Sequence, residues 1–191
     1  NGDGLADLIV GALFGDPSGA VDGGRSYLVY GKTGSSAIDL TAVANGSGGF
    51  VINGQFAGDI SGYSVSAAGD VNGDGLADMI VGAAGAKRDG LVDAGRSYVV
   101  YGKTDTTGVD LTNIANGVGG FVIYGQTTDD WSGTSVSYAG DINGDGFAEL
   151  LIGAPLYEGA GRGDAGGAYL VFGKAESFAQ DIDFNNGIPA G

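Results

Sequence analysis

A short acidic loop recurs three times in this chain at one fixed interval, and that interval constrains the fold more than length or composition does. Asn1-Gly-Asp-Gly-Leu-Ala-Asp7, Asn72-Gly-Asp-Gly-Leu-Ala-Asp78 and Asn143-Gly-Asp-Gly-Phe-Ala-Glu149 start 71 residues apart, with no gap between copies. An ungapped tandem array breaks the usual relation between length and domain number, so the 191 residues divide by repeat. A partial unit is expected at 1–60, a complete one at 61–131 and a second partial one at 132–191. Neither end falls at a repeat boundary. The chain is therefore expected to be a piece of a longer protein.

The two later loops also carry an upstream acid, Asp70 and Asp141, so each reads Asp-x-Asn-x-Asp-Gly-x-x-Asp/Glu. Oxygen donors alternating along a tight loop suit a hard cation, calcium first. In that reading Asp70, Asn72 and Asp74 present side-chain oxygens, Leu76 its backbone carbonyl and Asp78 the closing carboxylate, while Gly75 permits the bend. The third loop offers Asp141, Asn143, Asp145, the Phe147 carbonyl and Glu149, the last one methylene longer than Asp78. The first offers Asn1, Asp3, the Leu5 carbonyl and Asp7, without an upstream Asp.

Three carboxylates held about 5 Å apart repel by about 3 kcal/mol per pair at an effective dielectric of about 20, which a divalent cation would relieve. Hairpin turns alone would explain the Asn-Gly and Asp-Gly pairs, but not a third and fourth acid at alternating spacing. For the first loop the turn reading stands beside the metal one. An EF-hand does not fit, because its twelfth position is Val81 and Met79-Ile-Val-Gly82 stands where a helix would exit.

Composition narrows the function classes. The formal net charge is −15 with 23 Asp and Glu, of which Asp3, Asp7, Asp70, Asp74, Asp78, Asp141, Asp145 and Glu149 sit in the loops, so much of the acidity is positional. Without a basic patch, nucleic acid is not an expected partner. The chain has no His and no Cys. That removes Ser-His-Asp and Cys-His nucleophiles and disulfide stapling, and no enzyme activity is expected of these residues. No apolar run reaches the roughly 20 residues of a membrane helix. Calcium sites in the 10⁻⁴–10⁻³ M range, on the order typical of extracellular modules, fill where calcium is plentiful, so a secreted or cell-surface location is expected.

Within the complete repeat, alternating and β-branched patterns predict strands at Gly62–Gly69, Asp78–Ala83, Arg96–Tyr101 and Gly120–Tyr124, with the acidic loop joining the first two. The 41 Gly interrupt nearly every window long enough for helix, and Val109–Asn116 is the one place where a helical turn is expected. Four short antiparallel strands per repeat is the anatomy of one propeller blade, so the class is all-β.

Those segments resemble a known repeat. Gly62-Tyr-Ser-Val-Ser, Ala68-Gly-Asp-Val-Asn-Gly-Asp-Gly, Asp78-Met-Ile-Val-Gly-Ala-Ala and Ser97-Tyr-Val-Val-Tyr-Gly are similar to the FG-GAP repeat of integrin α-subunit propellers, and Leu150-Leu-Ile-Gly-Ala-Pro155 carries the Gly-Ala-Pro. Ser61-Gly62 and Ser132-Gly133 stand at the Phe-Gly position. The resemblance implies a seven-bladed ring, of which this chain is a portion, with calcium in the loop between the first two strands of a blade. It also implies adhesion or recognition of a protein or glycan ligand. Two alternatives stay open: a propeller accessory to a secreted enzyme resembling glycosylphosphatidylinositol-specific phospholipase D, or a purely structural calcium-stapled array. The near identity of the first two repeats and the absence of Cys point to a microbial source.

Three further features have plainer explanations. Arg162-Gly-Asp164 spells an integrin-ligand tripeptide, yet Asp164 is the repeat equivalent of Asp22 and Asp93, so a turn role is expected. Trp131 takes the place of Ile60 as a packing residue. Tyr27, Tyr98 and Tyr169 recur as sheet packing, and Arg25 and Arg96 recur without a counterpart at Gly167.

Overall fold

The computed structural model describes residues 2–158, 163, 165–175, 178 and 181–182. They form three antiparallel sheets, each corresponding to one repeat. The central sheet is a meander of β4 (Ser61–Gly69), β5 (Asp78–Ala83), β6 (Arg96–Val100) and β8 (Gly120–Tyr124). Before it lie β1 (Leu8–Ala12), β2 (Arg25–Val29) and β3 (Gly49–Asn53); after it lie β9 (Ser135–Gly140), β10 (Glu149–Ala154) and β11 (Gly167–Val171). This is the expected all-β, propeller-type architecture. The predicted strands of the complete repeat agree with the observed ones to within one residue at each end.

Period-two alternation along the central sheet explains how the three sheets stack. Met79, Val81 and Ala83 of β5 join Tyr98, Val100 and Val122 in a core shared with Phe50 and Ile52 of the preceding sheet. Ile80 of β5 points the other way, with Val99, Phe121 and Ile123, into a core shared with Leu150, Ile152, Tyr169 and Val171 of the following one. Every residue of β5 is consequently buried, whereas Leu8 and Val10 of β1 are largely exposed.

Glycine lets the sheets approach. A Cβ on Gly11 would lie 2.1 Å from the Gly62 carbonyl oxygen, and one on Gly82 would lie 2.1 Å from that of Gly133. The glycines of the Gly-Ala and Ser-Gly positions in adjacent repeats thus face each other across the sheet junction. Gly62 and Gly133 also have φ of 83° and 88°, a region that side chains other than Gly rarely occupy.

Two short parallel strands stitch the repeats from outside. β7 (Val109–Asp110) pairs with the end of β3, and β12 (Asp181–Ile182) pairs with β8, so each repeat lends two residues to the outer edge of the one before. Sequence periodicity gives no sign of such brief pairings. Among the described residues, two α-helical turns stand where one was expected, α1 (Leu40–Ala44) and α2 (Leu111–Ala115), beside a 3-10 turn at Pro17–Gly19. Asp39 accepts the Thr41 N–H and Asp110 the Thr112 N–H, each at 2.8 Å, so both turns start from the same N-cap chemistry.

The plainer readings of recurring side chains fit their positions. Tyr98 is fully buried and donates to Gln55 Oε1 at 2.9 Å, while Arg96 donates to the same oxygen at 2.7 Å and also to the Lys87 carbonyl. Trp131 is half-buried and shares with Ile60 a left-handed backbone, φ 54° and 48° respectively. Arg162 and Asp164 lie outside the described residues.

Asp59 and its repeat equivalent Asp130, which the sequence reading did not single out, are buried in the segments leading into β4 and β9. Asp130 accepts the N–H groups of Gln126 and Thr127 and the Thr127 hydroxyl. Asp59 accepts one weaker bond, from Phe56 N–H at 3.3 Å, and burial pushes its carboxyl up to about 6 against the opposing pull of Arg96. A carboxyl that holds its proton more tightly when folded stabilises the fold below pH 4, and that contribution is lost as the pH rises through about 6. Asp59→Asn, neutral at every pH, should therefore gain on the parent as the pH rises, by on the order of 2–3 kcal/mol at pH 7. Urea unfolding of both chains from pH 4 to 7 checks this; parallel stability curves would refute it.

Candidate metal centre

The second acidic loop bridges β4 and β5, the third bridges β9 and β10, and the first leads into β1; their geometry follows from the Asn-Gly-Asp-Gly sequence. Gly73 and Gly75 take φ of 76° and 85°, and Gly144 and Gly146 take 79° and 94°, so the chain curls back on itself around the first acid. Asp70 Oδ1 accepts the N–H groups of Gly73 at 2.7 Å and Asp74 at 3.1 Å, and its Oδ2 accepts that of Gly75 at 2.8 Å. Asp141 repeats the pattern with Gly144, Asp145 and Gly146 at 2.6, 3.1 and 2.9 Å.

The middle donors interlock in the same way in both loops. Asn72 Oδ1 accepts the Asp74 N–H, Asn72 Nδ2 donates to Asp74 Oδ2, and Asp74 Oδ1 accepts the Leu76 N–H. Asn143, Asp145 and Phe147 do likewise. In the first loop Asp3 Oδ1 accepts the Leu5 N–H at 2.8 Å; Asn1 lies outside the described residues.

The closing acid separates the loops. Asp78 is buried and accepts two backbone N–H groups, Val71 on Oδ2 at 2.9 Å and Gly102 on Oδ1 at 2.7 Å. Asp7 makes the equivalent bond from Gly31 N–H at 2.8 Å. The Gly102 and Gly31 bonds tie their loops to the chain just past β6 and β2 respectively, a role that the motif alone does not disclose. Burial pushes the Asp78 carboxyl up to about 6, the two backbone bonds pull it down, and the neighbouring Asp74 and Asp70 charges push it up again.

Glu149 is fully buried and accepts the Ile142 N–H on Oε2 at 2.6 Å, but its Oε1 has no hydrogen-bond partner among the described residues. One carboxylate oxygen each of Asp141, Asp145 and Glu149 lie within 4.8 Å of one another. Among the described residues this is the one group of three acids drawn so close. The added methylene of Glu149 thus gives the third loop a denser set of oxygens than the second, although the second matches the alternating pattern more closely. An unpaired carboxylate oxygen in a buried position is unfavourable unless a proton or a cation neutralises it.

Residues 61–100 and 132–171 each match the FG-GAP repeat family. The chain is 33% identical over 166 residues to the bovine (Bos taurus) phosphatidylinositol-glycan-specific phospholipase D, an alignment covering 85% of this chain and 18% of that protein. It is 33% identical over 120 residues to integrin alpha-PS2 of Drosophila melanogaster, covering 60% of this chain and 8% of the integrin. Against integrin alpha-5 of Xenopus laevis the identity is 33% over 169 residues, covering 84% of this chain and 13% of the integrin. The chain thus spans less than a fifth of each of these relatives. Among the described residues, no helix is long and apolar enough to cross a membrane.

Proposed function

We propose that this chain, built of FG-GAP repeats, is a calcium-binding portion of a propeller that serves adhesion or recognition outside the cell. One observation carries the metal assignment: the buried, unpartnered Glu149 Oε1 in a loop where three carboxylates stand within 4.8 Å. The oxygen-only donor set, Asp141, Asn143, Asp145, the Phe147 carbonyl and Glu149, suits a hard cation, and Asp70, Asn72, Asp74, the Leu76 carbonyl and Asp78 form its counterpart. The ion would neutralise the acid cluster and fix the hairpin between the first two strands.

The integrin relatives support a recognition role on a protein or glycan ligand, with the remaining blades of a parent propeller as structural neighbours. Blades at 1–60, 61–131 and 132–191 belong to that reading. The phospholipase relatives support a second one, in which the same module accompanies a catalytic domain. In both, the chain itself binds and supports rather than catalyses. Equilibrium dialysis at millimolar calcium should find ions retained by the parent chain and fewer by Asp145→Ala. Absence of retained calcium in the parent would overturn the proposal.

A further inference from the structure

The two complete acidic loops touch. The Ala148 N–H, set between Phe147 and Glu149 of the third loop, donates to the backbone carbonyl of Asp70, first residue of the second loop, at 3.0 Å. One position along, the Lys174 N–H donates to the Val71 carbonyl, also at 3.0 Å. The Phe147 ring covers Gly73, where a Cβ would come within 2.6 Å of it. The first bond joins the two loops, the second ties the second loop to the segment after β11, and both start or end within one residue of a proposed ligand and cross from one repeat to the next.

From these contacts we infer that the two cation sites are coupled, so that filling either loop raises the affinity of the other. The inference rests on the calcium reading above. A cation in the third loop pulls on the Phe147 carbonyl and on Glu149, which flank Ala148 and hold its N–H in place. That N–H fixes the Asp70 carbonyl, and with it the backbone from which the Asp70 side chain curls over Gly73–Gly75. Binding at the second loop orders the same contacts from the other side. A loop whose backbone is already ordered by its neighbour loses less conformational freedom when it binds, which is positive cooperativity without any large movement. Phe147 reinforces the link because its ring lies on the Gly73 turn.

Calorimetric titration with calcium chloride tests this on the full chain, with the first loop silenced throughout by Asp3→Ala. In that background two ions should bind, and adding Asp74→Ala or Asp145→Ala should leave one. The remaining loop in each variant should bind at least about fivefold more weakly than it does in the two-site chain once its neighbour is filled, and the two factors should be equal. In the Asp145→Ala chain, calcium entering the second loop should slow amide exchange at Ala148 and Lys174. A two-site isotherm that equals the sum of the two single-site isotherms overturns the coupling, as does unchanged exchange at those amides. One ion per chain in the two-site background also overturns it while leaving calcium binding intact, whereas no binding in the unmutated chain defeats the calcium reading itself.

Discussion

Calcium should raise the unfolding free energy of this chain by about 5 kcal/mol when it stands 100-fold over the dissociation constants of the Asp70 and Asp141 loops. Each ion that binds only the folded state contributes about 2.7 kcal/mol at that ratio by mass action, and two loops carry the donor set. Folding brings carboxylates together that are apart in the unfolded chain, and in the third loop it strands Glu149 Oε1 in a buried position with no partner. The chelated protein should therefore be the less stable form. Asp145→Asn sharpens the test because it removes one charge while keeping an oxygen for the Phe147 N–H, which Asp145 accepts at 2.9 Å. It replaces the Oδ2 that accepts from Asn143 Nδ2 with a second donor, so it should abolish about half of the calcium-induced gain while costing the chelated chain no more than about 1 kcal/mol. Calorimetric melts of both chains in calcium and in chelator decide the matter. Coincident parent curves would refute the metal assignment. An equal loss of stability for Asp145→Asn in both buffers would make Asp145 a turn residue.

Much of this fold was legible because the physics that sets it is local and repeated. The alternation Met79, Val81, Ala83 against Ile80 marks a strand buried on both faces, and the Asn-Gly-Asp-Gly sequence supplies the positive φ values the hairpin loop adopts. The second helical turn was legible in principle: Asp39-Leu-Thr-Ala-Val-Ala-Asn45 is the repeat equivalent of Asp110–Asn116 and carries the same capping Asp. The two-residue strands Val109–Asp110 and Asp181–Ile182 were not, because pairing that short arises from contact with a neighbouring sheet and leaves no periodic trace. The candidate site divides in the same way. Spacing named the donors, but it could not say that Asp78 uses both oxygens on backbone N–H groups, or that one methylene leaves a Glu149 oxygen unpartnered. Those distinctions depend on where Val71, Gly102 and Ile142 stand in space. Buried Asp59 and Asp130 escaped notice for a similar reason, since an acid in a turn and an acid in a core look alike until the surrounding chain is placed.

Gly82→Ala should be among the most damaging single-methyl changes this chain can suffer, at about 4 kcal/mol, beyond the 1–3 kcal/mol usual for over-packing. The new Cβ would stand 2.1 Å from the Gly133 carbonyl oxygen and 2.4 Å from Ser64 Oγ. Neither can simply withdraw, because the Ser64 hydroxyl donates to that carbonyl at 2.7 Å and the Gly133 N–H donates to the Gly153 carbonyl at 3.0 Å. Relief requires the third sheet to move away from the second, which opens the core shared by Ile80, Val99, Leu150 and Ile152. Two comparisons isolate the cause. Gly153→Ala stands at the same repeat position, but its nearest neighbour is the Ser135 hydroxyl at 2.3 Å, a side-chain group that can rotate, so the loss should be smaller by about 2 kcal/mol. Gly34→Ala has nothing within 4 Å and should stay within about 0.5 kcal/mol of the parent. Denaturant midpoints for the three variants should fall in the order Gly34→Ala, Gly153→Ala, Gly82→Ala from most to least stable. If Gly82→Ala unfolds within about 1 kcal/mol of the parent, the glycine contact is not what sets the spacing between the sheets.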